Sequence, residues 1–439
     1  MRRRLGRSLL TILPAGMGSV ALGVALSGIS AYVFLALTAR AFGPVDYAPL
    51  ATFWSFAFVI GPGCFSVLEK ETGRLISAGL VLEDHTGPVL RQAVVLGACL
   101  TGVLIIGFGA TSHVAVERLF AGNWAVFAAF LVSLVAMCAQ FLGLGVLAGN
   151  SRFAGYGVLT GSEGVLRLAG AGMLLAIGNR SVGWFGLVIA LAPALALVVV
   201  YRPLANSSLR GEALGLGAMT RSMSWLLVGT LFSTVLVGSG PITVQLLGGG
   251  HQRALTSRFL SALVLVRVPL FLYNSAVATL LPALAGHLAG GEVRLFRRML
   301  NRLIIMVLIV GGASVVGAWV LGPSVMTAVF GAHYKLPGPD LALLAGASAA
   351  MMISLTFSIA LTAAGEPHRL AFGWALGVGV MIAVTAAVHP LLLRVELGLL
   401  AGSIASTLGM LPPLYGRRRF RTNDDTQLSG SSLGVTNPA

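Results

Sequence analysis

Apolar stretches recur along the whole chain, each close to the length of about 20 residues that a helix needs to cross a bilayer. The 439-residue chain is 56% hydrophobic and only 10% charged, whereas a soluble domain carries about 25% charged residues. Together with a mean hydropathy of +0.91, this composition excludes a water-soluble globule. The stretches are too long for a transmembrane β-barrel, so we expect an all-α polytopic membrane protein.

Twelve transmembrane helices are predicted, and their even number places both chain ends on one side. The predicted spans are 14–39, 47–68, 92–112, 124–148, 159–178, 183–201, 224–247, 257–285, 303–321, 340–364, 370–388 and 392–415. We divide the chain into a basic N-terminus, a first lobe, a linker, a second lobe and a disordered tail. These five segments are 1–13, 14–201, 202–223, 224–415 and 416–439.

The formal net charge of +15 is a topology signal. Most Lys and Arg residues fall in the segments on the same side as the N-terminus, including the run Arg2 to Arg7 and the run Arg417 to Arg421. Positive residues favour the cytoplasmic side of a membrane protein. We therefore predict that both termini, the linker and the tail are cytoplasmic, and we expect no nucleic-acid partner.

The sequence contains no motif that indicates an enzyme. The predicted outer loops are short, and neither Lys70 nor Lys335 ends a glycine-rich phosphate loop. Cys64, Cys99 and Cys138 all lie inside apolar runs without metal-ligand spacing. The sequence therefore predicts a non-enzymatic protein without a metal site or a cofactor.

Short segments in the two halves of the chain are similar in sequence. Residues 147–156 follow the fourth helix, and the similar segment 363–373 follows the tenth; 41–48 and 247–254 form a weaker pair. These echoes predict two six-helix lobes of like orientation, a parallel pseudo-repeat, around a central cavity. Chance similarity of short Gly/Ala-rich loops is the alternative.

The sequence resembles the polysaccharide-flippase branch of the multidrug/oligosaccharidyl-lipid/polysaccharide exporter superfamily. The segments that carry this resemblance are Phe42 to Tyr47, Leu68 to Arg74, Gly149 to Arg167, Leu281 to Leu284 and Leu321 to Tyr334. The resemblance implies a transporter that moves a polyprenyl-pyrophosphate-linked oligosaccharide from the inner to the outer leaflet by alternating access, for cell-surface polysaccharide synthesis.

The same resemblance implies a location and partners. The chain would lie in the bacterial cytoplasmic (inner) membrane as a multi-pass protein. Its partners would be the lipid-linked glycan, membrane lipids, and a polysaccharide polymerase or glycosyltransferases. The core of the first helix lacks the Arg and Asp that peptidoglycan-precursor flippases usually carry, which counts against lipid II as substrate.

Arg267 is the main candidate for binding the pyrophosphate. It lies about 15 Å below the outer end of the predicted eighth helix, near mid-membrane, where an arginine costs about 2.5–3.5 kcal/mol on insertion scales. Asn274 follows on the same helical face. Gln245 and Arg258 extend a polar path or are merely interfacial. The alternative for Arg267 is packing against helix carbonyls of its own lobe.

A cytoplasmic gate is the second candidate site. Glu163 and Arg167 have the spacing of an intrahelical ion pair and are placed at the inner end of the fifth helix. That spacing favours a structural pair over a gate. Glu69, Glu71 and Arg74, at the inner end of the second helix, leave the same two possibilities open.

Two other functions compete with the flippase. A cation-coupled multidrug or metabolite antiporter needs a buried carboxylate, and no Asp or Glu falls in the middle third of any predicted helix. A non-transporting membrane scaffold for polysaccharide synthesis needs only a basic cytoplasmic face. Arg267 argues against the scaffold, because such a protein has no use for an arginine at mid-depth.

Overall fold

The structure is a computed structural model that describes residues 17–81, 87–205, 216–248, 253–270, 273, 292–364 and 366–411. These residues are mostly helical and include no strand. The helices are α1 (Met17–Asp46), α2 (Ala48–Ile60), α3 (Ser66–Val81), α4 (Gly87–Ala110), α5 (Ser112–Arg118), α6 (Trp124–Gly149), α7 (Phe153–Ala176), α8 (Val182–Val199), α9 (Tyr201–Ala205), α10 (Leu216–Gly248), α11 (Arg253–Val266), α12 (Val293–Val320), α13 (Gly322–Phe330), α14 (Gly338–Ala363), α15 (Pro367–Ala387) and α16 (Leu391–Met410).

The all-α polytopic fold predicted from the apolar stretches is confirmed. Within the described residues, 11 helices are long and apolar enough to cross a membrane. The remaining predicted span, 257–285, begins as the shorter apolar helix α11, and most of its second half lies outside the described residues. The N-terminus 1–13, the tail 416–439 and the linker residues 206–215 also lie outside them.

Several predicted helix ends differ from the structure. The first helix continues to Asp46 instead of ending at 39, with a break at Gly43, whose positive φ of 72° suits a residue without Cβ. The second continues through a π-helical segment, Gly61–Phe65, into α3. The seventh and ninth begin earlier than predicted, at Leu216 and Val293.

The fifth predicted helix begins earlier than expected, and this changes the position of two candidate site residues. It begins at Phe153, whereas the prediction began at 159, so Glu163 and Arg167 lie about 15 and 21 Å from its start. The prediction that they lie at its inner end is wrong, and so is the prediction that no carboxylate lies mid-helix. The early turns stay helical because they pack on α1: a Cβ at Gly157 would lie 2.1 Å from the carbonyl oxygen of Ser19.

The helices pack into two lobes. In the N-lobe, residues 17–205, α1 packs on α7, and α6 packs on both α3 and α8. In the C-lobe, residues 216–411, α14 packs on α12 and α16, while α15 packs on α10 and α16. The lobes meet where α10 and α11 contact α1, α2 and the π-helical segment. This junction contains the central candidate residue.

Candidate functional site

Arg267 directly follows α11, about 21 Å from the first residue of that helix. Its side chain borders a cavity of about 10 Å³ whose other polar lining residues are Ser348 and Ser403. All residues that line this cavity belong to the C-lobe, so it is not the cavity between the lobes that the repeat predicts. That volume corresponds to about one water molecule. In this conformation the cavity is therefore closed to any large substrate, and Arg267 lies in protein rather than in lipid.

The guanidinium of Arg267 is anchored by a backbone carbonyl. Its Nη2 donates a hydrogen bond to the carbonyl oxygen of Val237 in α10. Since α10 belongs to the C-lobe, Arg267 packs against a carbonyl of its own lobe, which is the contact that the alternative interpretation of this arginine describes. Pro241 lies in the same helix. Since proline has no N–H, it cannot donate to the carbonyl four residues earlier, which is that of Val237. Arg267 thus satisfies the carbonyl that Pro241 leaves without its helical donor.

Arg267 also faces the other lobe. Tyr32 of α1 lies near enough to interact electrostatically with the guanidinium, and α11 packs on α1. Among the described residues no carboxylate pairs with Arg267. Its positive charge is therefore held at the lobe junction by neutral groups. Asn274, predicted to assist it, lies outside the described residues.

Gln245 and Arg258 lie apart from this cavity, where the end of α10 and the start of α11 meet the N-lobe. The Nε2 of Gln245 donates to the carbonyl of Arg118 at 3.0 Å, and its Oε1 accepts from Thr256 at 2.7 Å. Gln245 is 2% exposed. Its amide therefore links the lobes and has no accessible surface for a sugar in this conformation. Arg258 lies near Tyr334, and its Nε is buried without a hydrogen-bond partner.

A cluster that we call the clasp joins the lobes beside Arg258. Arg40 of α1 donates through Nε to the carbonyl of Val329 at 2.7 Å and through Nη2 to that of Ala328. The Tyr334 hydroxyl donates to the carbonyl of Ala39 at 2.8 Å. Burial raises the pKa of the Tyr334 phenol above its ordinary value, against the lowering effect of Arg258. The phenol therefore keeps its proton at neutral pH and remains a donor.

Glu163 and Arg167 form the intrahelical ion pair that their spacing predicts. Glu163 also accepts from the Ser27 hydroxyl of α1 at 3.2 Å. The Arg167 guanidinium lies 5.0 Å from the ring centroid of Trp54 in α2. The pair ties three helices of the N-lobe together, and both side chains are largely buried, with exposures of 14% and 7%.

The other predicted gate residues are also engaged in contacts. Glu71, 1% exposed, accepts from Arg74 at 2.5 and 3.0 Å. Glu69 accepts from the Tyr156 hydroxyl of α7 at 2.8 Å. The structure therefore brings Glu69 to α7, whereas the Glu71–Arg74 pair stays within α3.

Sequence reasoning missed Glu396 in α16. Its side chain is 0% exposed, and neither carboxylate oxygen has a hydrogen-bond partner. Asp340 of α14 lies near enough to interact electrostatically with it. Glu396 falls close to the start of its predicted helix, outside the middle third in which a buried carboxylate is expected. Only the packing of α14, α15 and α10 around α16 makes it an interior group.

The chain was compared with families and with individual proteins. No family model matches the chain. The uncharacterized protein Rv1510 of Mycobacterium tuberculosis is 31% identical over 375 residues, which cover 82% of this chain and 83% of the relative.

Solved structures extend the likeness to the fold. An inward-facing multidrug resistance MATE family transporter of the MOP superfamily aligns with a TM-score of 0.70 at 16% identity, over 92% of this chain and 96% of that one. A mutant of the Vibrio cholerae MATE transporter VcmN aligns at 0.66 with 14% identity, over 90% and 94%. These similarities confirm the two-lobe fold.

Proposed function

Because the chain belongs to the same family as Rv1510 of Mycobacterium tuberculosis and has the fold of the MATE transporters, we propose that it is a membrane transporter that works by alternating access. Its substrate is a polyprenyl-pyrophosphate-linked oligosaccharide, which it moves from the inner to the outer leaflet for cell-surface polysaccharide synthesis.

The observation that carries this proposal is the charge of Arg267. Its guanidinium lies at the lobe junction, beside Tyr32, and the hydrogen-bond acceptor that holds it is a neutral carbonyl. A guanidinium offers five donors in a fixed fork that matches phosphate oxygens. An anionic head therefore supplies the countercharge that the described part of the protein does not, whereas a neutral or cationic drug gains nothing from this site.

The clasp supports alternating access. The positive-inside pattern assigns its end of the molecule to the outer side. Arg40 and Tyr334 hold carbonyls of the opposite lobe there, and Gln245 adds a third link. Closure of the outer side is what a transporter needs while its substrate site loads from the inner leaflet. Opening then requires these hydrogen bonds to break.

The proposal includes a location and partners. The chain lies in the bacterial inner membrane with both termini cytoplasmic. Glycosyltransferases that build the lipid-linked glycan act before it, and a polysaccharide polymerase consumes the glycan after it. Membrane lipids surround the protein and accommodate the polyprenyl tail during transport.

A cation-coupled multidrug or metabolite antiporter is the second candidate. The observation that favours it is the presence of two buried carboxylates, Glu163 at the middle of α7 and Glu396 in α16. Glu163 is neutralised by Arg167, which leaves Glu396 as the group that separates the two candidates. A membrane scaffold is disfavoured, because it has no use for Arg267 at the lobe junction.

The test is lipid analysis of a strain depleted of this protein. We expect a polyprenyl-linked oligosaccharide to accumulate on the inner leaflet and to disappear when the wild-type chain is restored. Arg267→Gln should fail to clear it, whereas Arg180→Gln, which changes an exposed loop arginine, should clear it fully. Absence of any lipid-linked glycan, combined with increased sensitivity to cationic drugs, would instead support the antiporter.

A further inference from the structure

Three arginines form a stripe along the first turns of α12. Arg294, Arg298 and Arg302 are spaced four residues apart, which places them on one face of the helix. All three are exposed, and the opposite face carries the buried residues Phe296 and Leu300. The arginine stripe therefore points away from the rest of the C-lobe.

The described part of the protein does not balance the charge of this stripe. The sequence of α12 contains no Asp or Glu. Among the described residues, none of the three guanidinium groups takes part in an ion pair or a hydrogen bond. Glu292, the acidic residue nearest to them in the chain, lies two positions before Arg294, a spacing at which helical residues do not face each other. The stripe is therefore open to an anionic partner from outside.

The helix face that carries the stripe continues along the bilayer. Among the 11 candidate spans of the described residues, α12 is the least buried. Ile305, Ile309 and Trp319 follow the stripe on the same face and are 56%, 67% and 60% exposed. A molecule that lies against this face within the membrane is therefore a lipid.

The stripe lies at the depth of lipid phosphates. Trp319 is near the other end of α12, and an amphipathic ring favours the headgroup level. At 1.5 Å per residue, Arg302 and Arg298 lie about 26 and 32 Å from Trp319, on either side of the hydrocarbon thickness of about 30 Å. Arg294 lies about 12 Å beyond Arg302, in the headgroup layer.

The corresponding helix of the N-lobe lacks such a stripe. α4 is the third span of the N-lobe, as α12 is of the C-lobe, and it is also mostly unburied. Its first turns contain a single basic residue, Arg91. The bias of positive residues toward the cytoplasmic side applies equally to both helices. It therefore does not account for three aligned arginines on one of them.

We propose that Arg294, Arg298 and Arg302 bind the phosphate groups of anionic phospholipids in the leaflet at the start of α12, which is the inner leaflet in the topology proposed above. The fork of each guanidinium matches the oxygens of a phosphate. The bound lipids hold α12, and with it the C-lobe, at a fixed depth while the lobes move relative to each other. This lipid site does not depend on the identity of the transported molecule.

The test measures lipid binding to the purified full-length chain in detergent by native mass spectrometry. Phosphatidylglycerol is the anionic probe and phosphatidylcholine the zwitterionic one. Since one arginine near an anionic surface contributes about fivefold in binding, Arg298→Gln/Arg302→Gln should weaken phosphatidylglycerol binding about 25-fold and leave phosphatidylcholine binding unchanged. The matched control is Arg91→Gln/Arg202→Gln, which removes two exposed arginines of the same predicted side and should bind phosphatidylglycerol as the wild type does.

A charge-preserving variant separates loss of charge from a folding defect. Arg298→Lys/Arg302→Lys should keep most of the phosphatidylglycerol binding. Equal weakening by the two double glutamine variants would overturn the proposal, because net charge alone would then determine binding. Equal affinity of the wild type for both lipids would also overturn it. So would displacement of phosphatidylglycerol by inorganic phosphate at constant ionic strength, which would indicate a site for free phosphate. None of these measurements contains a lipid-linked glycan, so they do not bear on the lipid accumulation that tests the proposed function.

Discussion

The guanidinium of Arg267 donates a hydrogen bond to the backbone carbonyl of Val237, the carbonyl that Pro241 leaves without a helical partner. This relationship joins the end of α11 to the kink-prone part of α10. It holds the arginine without neutralising it. The same guanidinium is therefore available to a phosphate if the carbonyl contact is exchanged for a stronger, charged one.

The Val237 contact predicts coupling between Arg267 and Pro241. Arg267→Gln should reduce stability by about 1.5–3 kcal/mol, the contribution of a hydrogen bond to a charged group. In a Pro241→Ala background, the new N–H at 241 can donate to Val237, so Arg267→Gln should reduce stability less. The measurement is the free energy of unfolding in detergent of four proteins: the wild type, the two single variants and the double variant, which form a double-mutant cycle. Strictly additive effects would mean that Arg267 does not depend on the freed carbonyl.

The N-lobe ion pair predicts a large loss of stability. Glu163→Gln leaves the charge of Arg167 buried beside the ring of Trp54 and a neutral amide. Removing one partner of a buried ion pair costs about 3–5 kcal/mol. Thermal unfolding measures the loss, with Glu117→Gln at the exposed His113–Glu117 pair as the matched control. Equal effects of the two substitutions would show that the Glu163–Arg167 pair is solvated.

The clasp predicts a shift between conformations. Tyr334→Phe removes the donor to Ala39 and keeps the ring, and one hydrogen bond contributes about 0.5–1.5 kcal/mol. The closed-to-open ratio should therefore fall by about 2- to 10-fold. Spin labels at Ser181, directly before α8, and at Val320, the last residue of α12, report the separation of the lobes.

Thr111→Val is the control for the clasp, because the Thr111 hydroxyl donates to carbonyls of the preceding helix α4, within the same lobe. This variant should leave the distribution of label distances unchanged. The closed outer side is not held by the clasp if Tyr334→Phe gives the same distribution as the wild type.

The topology predicts the result of reporter fusions. Fusions after Arg202 and after Arg421 should both report the cytoplasm, because the two positions are separated by six predicted spans. A periplasmic signal at one site only would contradict the like orientation of the lobes. Periplasmic signals at both sites would instead reverse the positive-inside assignment.

The spans are predictable from sequence because the bilayer sets the length and polarity of a helix independently of its neighbours. The ends of the helices are harder to predict from sequence. The first turns of α7 contain Gly155 and Gly157, which read as a loop, and only the close approach of Gly157 to Ser19 explains why they stay helical. That error placed Glu163 and Arg167 at the membrane surface.

The site was predictable only in part, because the sequence identifies residues but not their partners. The depth of Arg267 follows from counting along a helix. Its anchor does not, since Val237 is 30 positions away and its free carbonyl is evident only once α10 and α11 are placed side by side. Glu396 was missed because burial of a residue near a helix start depends on the surrounding helices.

The central claim is that Arg267 binds the pyrophosphate of a lipid-linked oligosaccharide. Its direct measurement is transport in proteoliposomes loaded with a polyprenyl diphosphate oligosaccharide, with outer-leaflet glycan detected by a membrane-impermeant lectin. Arg267→Lys should keep partial transport, since it retains the charge without the fork, and Arg267→Gln should lose most of it. Both should insert normally, because Lys has an insertion cost similar to that of Arg and Gln removes the charge altogether. Transport by Arg267→Gln at the wild-type rate would contradict the claim.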